Sequence, residues 1–349
     1  MWFLFACMSG KITDTAEIEV IDPFDWSALE IGPYRVGYQQ GVHSYTILDR
    51  SNEIDMNVWY PTEDSDGEPA RYFNVRDDEN AFQDASWADS VYSNGYPLMV
   101  FSHGSHLFGG SSAFLMRYFA SHGWVVVAPD HKGHLTTDYL NELELSVYYE
   151  RFINNNESLN FAESLGVNAQ AAILIGYSFG ALDGWANAGS AMNLPDIQAL
   201  CDAGEFPAGC REDELDLFRE GFGDARWRGI VAMAGANRYE WISEEGRSNL
   251  LVPMMQISGS EDDDEPQRLF DNVRGTPLHW VDIEGACHQL FVEVPCPNVS
   301  LEEGLSVVEG YSLAAARHSL LQDRSDQIVN LLDGSSSFSD KATIQWNGN

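Results

Sequence analysis

The stretch AAILIGYSFGALDGW, residues 171–185, decides how the remainder of the chain is read. A short apolar run, Ala171 to Ile175, ends at Gly176-Tyr177-Ser178-Phe179-Gly180, and Ala181 to Ala188 reads as a helix. Strand, G-x-S-x-G and helix in this order is the setting in which a serine sits on a strained turn with its Oγ above a sheet. The residues two before and two after it must be nearly free of side chain, because so sharp a turn brings them against other backbone. The Phe179 N–H, at a helix N-terminus, then faces any negative charge that develops where Ser178 attacks. With 30 glycines in 349 residues the bare pattern is unspecific. The flanking strand and helix are what give it meaning.

On both sides of this stretch the pattern from Pro97 onward is α/β. Leu98 to Phe101 is a strand running into Ser102-His103-Gly104-Ser105, followed by a helix over Ser112 to His122. Trp124 to Ala128 is a strand closing on Pro129-Asp130-His131, and Phe161 to Leu165 leads into the strand before Ser178. Ile230 to Ala234, Met254 to Ile257 and Leu278 to Ile283 are further strands, and Tyr311 to Leu332 has helical spacing of apolar residues. Upstream, Val36 to Leu48 and Ile54 to Tyr60 are rich in β-branched and aromatic residues with a polar break at 49–53, which predicts a hairpin. That makes eight strands, six of them in a βα alternation that implies a mostly parallel sheet covered on both faces. Residues 64–94 read as a long irregular connection, and the tail after Gly334 as loose. Two polar segments, 132–160 and 192–228, read as small cap-like insertions. The expected organisation is a lead-in over 1–33, one domain over 34–333 and a tail over 334–349.

Composition narrows the function classes. The chain carries 54 acidic against 19 basic residues, net −35, so nucleic acid and anionic membranes are not expected partners. Such acidity suits a protein working in high salt, and equally an acidic extracellular enzyme. No apolar run approaches the roughly 18 residues of a membrane span. Leu4-Phe5-Ala6-Cys7 resembles a bacterial lipobox, which would make Cys7 a lipid anchor, although no basic segment precedes it. Cys201 and Cys210, and Cys287 and Cys296, form two local pairs that are disulfide candidates in an oxidising compartment; four cysteines allow three pairings, which stay open. An extracytoplasmic monomer is the expectation.

In parallel sheets ligands bind beyond the carboxyl ends of the strands, where His103, Ser178, Asp262 and His288 all fall. A serine hydroxyl is a poor nucleophile until a base takes its proton, and the base needs a carboxylate behind it. His288 follows a strand in a Gly-Ala-Cys turn and is the candidate base. Asp262, Asp263 and Asp264 are consecutive; Asp262 is favoured over Asp263 because it lies three residues after Gly259 and four before Pro266. The run lacks the alternating ligands and glycine of a calcium loop, so no metal is assigned. The second oxyanion N–H is expected from Ser105, after the turn at Gly104, with Phe179 supplying the first. His103 and His131 read as turn or structural residues.

As an ordered set, VWYP (58–61), VFSHG (100–104), GWVVVAPDHKG (123–133), GYSFGA (176–181), GSED (259–262) and EGACH (284–288) resemble the α/β-hydrolase superfamily. The resemblance is specifically to the branch holding platelet-activating-factor acetylhydrolases, dienelactone-hydrolase-like proteins and cutinase-like polyesterases, and it covers about residues 34–333. It implies an α/β-hydrolase fold and a serine carboxylic-ester hydrolase with no metal or organic cofactor, acting on short-chain acyl esters, lipid esters or polyesters. The acetylhydrolases place their acid one strand earlier. The matching segment here, GIVAMAGAN (229–237), has none, which moves that role to Asp262. The dienelactone enzymes use cysteine where this chain has Ser178. The alternatives are a serine peptidase or amidase on the same fold, and a non-catalytic surface lipoprotein.

Overall fold

The computed structural model describes residues 22–235, 239–248, 250–262, 266–337 and 339–347. Cys7 and residues 263–265, Asp263 among them, lie outside these. The strands are β1 (Arg35–Ile47), β2 (Arg50–Thr62), β3 (Pro69–Tyr72), β4 (Arg76–Gln83), β5 (Leu98–Ser102), β6 (Val125–Pro129), β7 (Ala172–Tyr177), β8 (Trp227–Met233), β9 (Met254–Gly259), β10 (Leu278–Ile283) and β11 (Ala342–Trp346). The helices are α1 (Ala113–Ser121), α2 (Leu145–Ser164), α3 (Phe179–Asn187), α4 (Leu194–Ala203), α5 (Glu212–Glu220), α6 (Glu244–Ser248), α7 (Pro266–Asn272), α8 (Leu301–Leu320) and α9 (Asp326–Leu332).

One sheet holds all these strands, in the order β11-β10-β9-β8-β7-β5-β6-β2-β1-β4-β3. The run from β6 to β10 is parallel, β2 joins it antiparallel beside β6, and β11 closes the far edge antiparallel to β10. Strand period 2 splits the core into two layers. Met99 and Phe101 of β5, Val126 and Ala128 of β6, and Ile173, Ile175 and Tyr177 of β7 pack with α1 and α8. Their alternates Leu98, Val100, Val125, Val127, Ala172 and Leu174 pack with α2, α3 and α5. The chain order reverses around β5, which lies between β6 and β7. Such a switch point opens a crevice at the strands' carboxyl ends.

Several expectations need correction. The sheet has eleven strands rather than eight. The extra ones are β3 and β4 in the stretch read as irregular, and β11 in the tail read as loose. β3 and β11 are the two edge strands and β4 is the strand next to β3; β4, Arg-Asp-Asp-Glu-Asn-Ala-Phe-Gln, buries only Asp78 and Ala81. A short charged strand so near the margin of the sheet carries little apolar alternation to detect. The hairpin turn is tighter than the polar break suggested: Leu48 and Asp49 both take positive φ (47° and 61°), the geometry of a two-residue hairpin loop, and β2 starts at Arg50. Segment 132–160 is a loop, much of it exposed, only up to Glu144. Most of it is α2, which lies on the sheet and runs through the residues expected to lead into β7. The final helix begins ten residues earlier than its spacing suggested and breaks between α8 and α9, where buried Arg317 pairs with Asp323 at 2.6 Å. Arg317 also donates to the Phe24 and Trp26 carbonyls, tying the lead-in to the domain.

A second ionic cluster joins the edge to α1. Arg117 pairs with Asp78 and, at 3.5 Å, with Glu293, which also pairs with Arg76. Glu309 on α8 feels this cluster: burial pushes its carboxyl up to about 8, Arg117 offsets part of that, and Glu293 adds to it. A carboxyl whose folded pKa is raised holds a proton that the unfolded chain has already released, so stability falls as pH rises from about 4.5 through 8. Thermal melts of the wild type should therefore lose more Tm between pH 5 and pH 8.5 than those of Glu309→Gln. Parallel profiles would contradict this assignment.

Candidate functional site

Ser178 stands between β7 and α3 with φ 54° and ψ −110°, a region a non-glycine residue occupies only under constraint. The constraint is steric. A Cβ on Gly176 would lie 1.9 Å from the Gly180 carbonyl oxygen, and one on Gly180 would lie 2.1 Å from that of Ser102. The first turn of α3 thus presses backbone to backbone on the end of β5, the strand-end neighbour of β7. Ser178 is 7% exposed, and its backbone N–H is held by the Met233 carbonyl at 2.8 Å.

The structure brings three of the sequence-derived residues together. His288 Nε2 lies 2.9 Å from Ser178 Oγ, and His288 Nδ1 lies 2.7 Å from Asp262 Oδ2. Asp262 leaves the end of β9, its N–H bonded to the Gly259 carbonyl, and its side chain is 9% exposed against 35% for His288. With the carboxylate on Nδ1, that nitrogen carries the proton and Nε2 is left to accept from the serine. The His288 loop is braced twice. Tyr177 donates its hydroxyl to the His288 carbonyl at 3.0 Å, and burial raises the pKa of that phenol so that it stays a donor. Cys287 and Cys296 are joined in a disulfide that closes the loop around residues 288–292, and the Cys287 N–H points at Cys296 Sγ. The other pair, Cys201 and Cys210, links α4 to the segment before α5. Of the three pairings open in the sequence, the structure has the two local ones.

The proposed oxyanion donors come from different elements. Phe179 is the first residue of α3, whose opening N–H groups have no partner within the helix. Ser105 is exposed on the loop after β5, where a Cβ on Gly104 would meet the Tyr177 ring at 2.9 Å. The same loop is held from behind by Asp130, whose Oδ1 accepts from the Gly109 N–H at 2.6 Å and whose carboxyl burial raises to about 6. His103 and His131 are fully buried and bridge loops: His103 Nδ1 donates to the Gly104 carbonyl, and its Nε2 accepts from the His131 N–H. Burial first, then the neighbouring Arg151, depresses both pKa values, so both rings are neutral. Their sites match the structural reading.

Sequence reasoning passed over Arg151, Asp183, His134 and Tyr177. Arg151 fell in a stretch read as a cap, yet it is the only Lys or Arg between Lys132 and Arg211. Asp183 is a lone carboxylate in an otherwise apolar helix beside Ser178. A buried charge requires a partner, and that demand is a signal that could have paired them. Among the described residues no group of three or more His, Cys, Asp or Glu is arranged to hold a metal ion.

A model of the chlorophyllase family matches residues 90–200, a segment that includes Ser105, Ser178 and Phe179 and stops short of Asp262 and His288. No curated protein gives a significant match. Among solved structures, a ferulic acid esterase from Streptomyces cinnamoneus superposes with a TM-score of 0.63 at 17% identity, covering 92% of this chain and 98% of that one. Sheet order, the turn at Ser178 and this superposition together give the class: the chain has the fold of the α/β-hydrolase superfamily.

The contact of Gly180 with Ser102 joins two elements and leaves no room for a Cβ. Gly180→Ala should destabilise the protein by about 3 kcal/mol or more, because the obstacle is main chain and not a side chain that can turn aside. Urea denaturation against wild type measures this; a shift under about 0.5 kcal/mol would mean that α3 can lift away from β5.

Proposed function

We propose that the protein is a serine carboxylic-ester hydrolase working through an acyl-enzyme. The observation that carries this reading is the hydrogen-bonded run Asp262–His288–Ser178 at the switch point of the sheet, with Ser178 on a strained strand-to-helix turn. Ser178 Oγ attacks the ester carbonyl carbon as its proton passes to His288 Nε2, and Asp262 stabilises the resulting imidazolium. The tetrahedral oxyanion is held by the Phe179 and Ser105 N–H groups. Collapse breaks the bond to the alcohol oxygen, which takes the proton from His288. A water molecule repeats the sequence, releasing the acid and restoring Ser178.

The family model and the ferulic acid esterase likeness favour esters over amides. The mouth of the site favours a substrate with an apolar part. Tyr139 and Leu140 are 72% and 89% exposed, and the Tyr139 ring meets His106, next to Ser105, at 5.7 Å. A net charge of −35 disfavours anionic substrates. Short-chain acyl esters, lipid esters and polyesters fit these features, as does a ferulate ester. Two disulfides support an extracytoplasmic location.

The test is hydrolysis of p-nitrophenyl esters from acetate to palmitate and of methyl ferulate, at several salt concentrations, beside the matching anilides. Ser178→Ala should lower kcat by about 10⁴-fold or more, and a fluorophosphonate should label the wild type alone. Anilides turned over as fast as esters would make the protein an amidase. A folded wild type with neither turnover nor label would leave the non-catalytic scaffold.

A further inference from the structure

Beneath the site lies a buried polar cluster that the reaction described above does not use. Arg151, from α2, is fully buried and pairs with Asp183 of α3, its Nε and Nη2 lying 3.0 and 2.8 Å from Asp183 Oδ2. The same guanidinium reaches two strand-end loops. Nη2 donates to the His103 carbonyl, and Nη1 lies 3.3 Å from His134 Nδ1. Its carbon sits 4.7 Å from the centroid of the Phe179 ring. Ser102 Oγ and His131 complete the cluster, Ser102 donating to Asp183 at 2.6 Å and lying 2.9 Å from His131 Nε2.

The protonation of His134 follows from its neighbours. An arginine can only donate, so His134 Nδ1 accepts and the ring proton is on Nε2. That Nε2–H points to Ser105 Oγ, 2.8 Å away. Burial, with Arg151 adding its charge, keeps this ring neutral across the ordinary pH range. The His134 ring also packs edge-on against Phe179, with centroids 4.5 Å apart. Arg151 and His134 therefore both touch the two residues, or the loop, whose backbone N–H groups are assigned to the oxyanion.

We infer that Arg151 and His134 are positioning residues for the oxyanion hole: the relay Asp183–Arg151–His134–Ser105 sets the Ser105 loop against Phe179 at the start of α3. The inference rests on the serine-esterase reading. The two N–H groups come from separate elements, and a hydrogen-bond donor loses most of its effect once displaced from the developing charge. A rigid, fork-shaped cation joined to both elements fixes their separation before substrate arrives. Lysine in its place keeps the charge and loses the fork.

The test uses His134→Phe, His134→Gln and Arg151→Lys, with kcat, KM and the affinity of a trifluoromethyl ketone matched to the best ester. The ketone adds Ser178 and leaves an oxyanion, so its affinity reads the hole directly. His134→Phe and Arg151→Lys should lower kcat about 10–100-fold with KM within about threefold, and weaken the ketone by a similar factor. His134→Gln, whose amide can accept from Arg151 and donate to Ser105, should regain most of both. Active-site titration and circular dichroism correct each rate for the folded fraction. Folded His134→Phe and Arg151→Lys enzymes that bind the ketone as tightly as wild type would overturn the inference, as would a Gln variant no better than Phe. A wild type without Ser178-dependent turnover overturns the esterase reading itself, which separates the two failures.

Discussion

The structure turns on a close approach of two stretches of main chain: the first turn of α3 against the last residues of β5. Only glycine at 180 permits it, since any Cβ there would overlap the Ser102 carbonyl oxygen. Gly176 allows the chain to reverse tightly enough to reach that contact. Together they hold Ser178 at positive φ, where an L-residue stays only if its surroundings over-determine it. The cost in backbone strain is of order 1–3 kcal/mol, and the core packed on both faces of β7 offsets it. The same approach brings the N-terminus of α3 beside the loop after β5. This close main-chain approach and the assembly of the proposed oxyanion hole are one event.

Backbone contact sets the distance between these elements but leaves the loops free to hinge about it. The polar cluster around Arg151 removes that freedom. Four groups from three parts of the chain, Asp183 of α3, Ser102 and the His103 carbonyl at the end of β5, and His134 after β6, converge on one guanidinium. A buried ion pair gains little stability over an apolar substitute, since desolvation cancels most of the Coulomb gain. What it supplies is direction: an arginine fork is satisfied by few arrangements of its partners. Three histidines beneath the site with depressed pKa values, His103, His131 and His134, are neutral connectors with tautomers fixed by their donors and acceptors. His288, with its side chain 35% exposed and Asp262 behind it, takes the proton in the reaction proposed.

What was legible in the sequence follows the same division. The central strands could be read because strands buried on both faces are unbroken apolar runs. Ser178, Asp262 and His288 could be read because each sits at a strand end within a turn of characteristic residues. The edge strands β3 and β11, and the charged β4 beside β3, were not legible, because strands at a margin exposed to water keep little apolar alternation. Helix α2 hid for the opposite reason. It is buried along much of its length, but Asn154, Asn155 and Arg151 face the interior to satisfy polar groups there, so its apolar period is blurred. A helix that carries an internal polar network reads as a polar insertion. The preference for Asp262 over Asp263 rested on spacing to Gly259 and Pro266; Asp262 hydrogen-bonds His288, and Asp263 lies outside the described residues.

The charge of the chain gains meaning from where its few cations lie. Of 19 basic residues only Lys11, Lys132 and Lys341 are lysines. The arginines include Arg151 and Arg317, fully enclosed and paired, and Arg117, largely enclosed between Asp78 and Glu293. These three cations tie elements together from within, while the excess of 54 acidic over 19 basic residues leaves the surface negative. The two populations answer differently to the solvent. Mobile ions screen the surface repulsion over a Debye length of about 8 Å at physiological ionic strength, while enclosed forks are screened far less. Salt thus relaxes the force that works against compactness and barely touches the contacts that set the site's geometry. A chain with this distribution can remain highly acidic, repelling anionic surfaces and staying dispersed, without loosening the few ångströms around Ser178 on which its proposed chemistry depends.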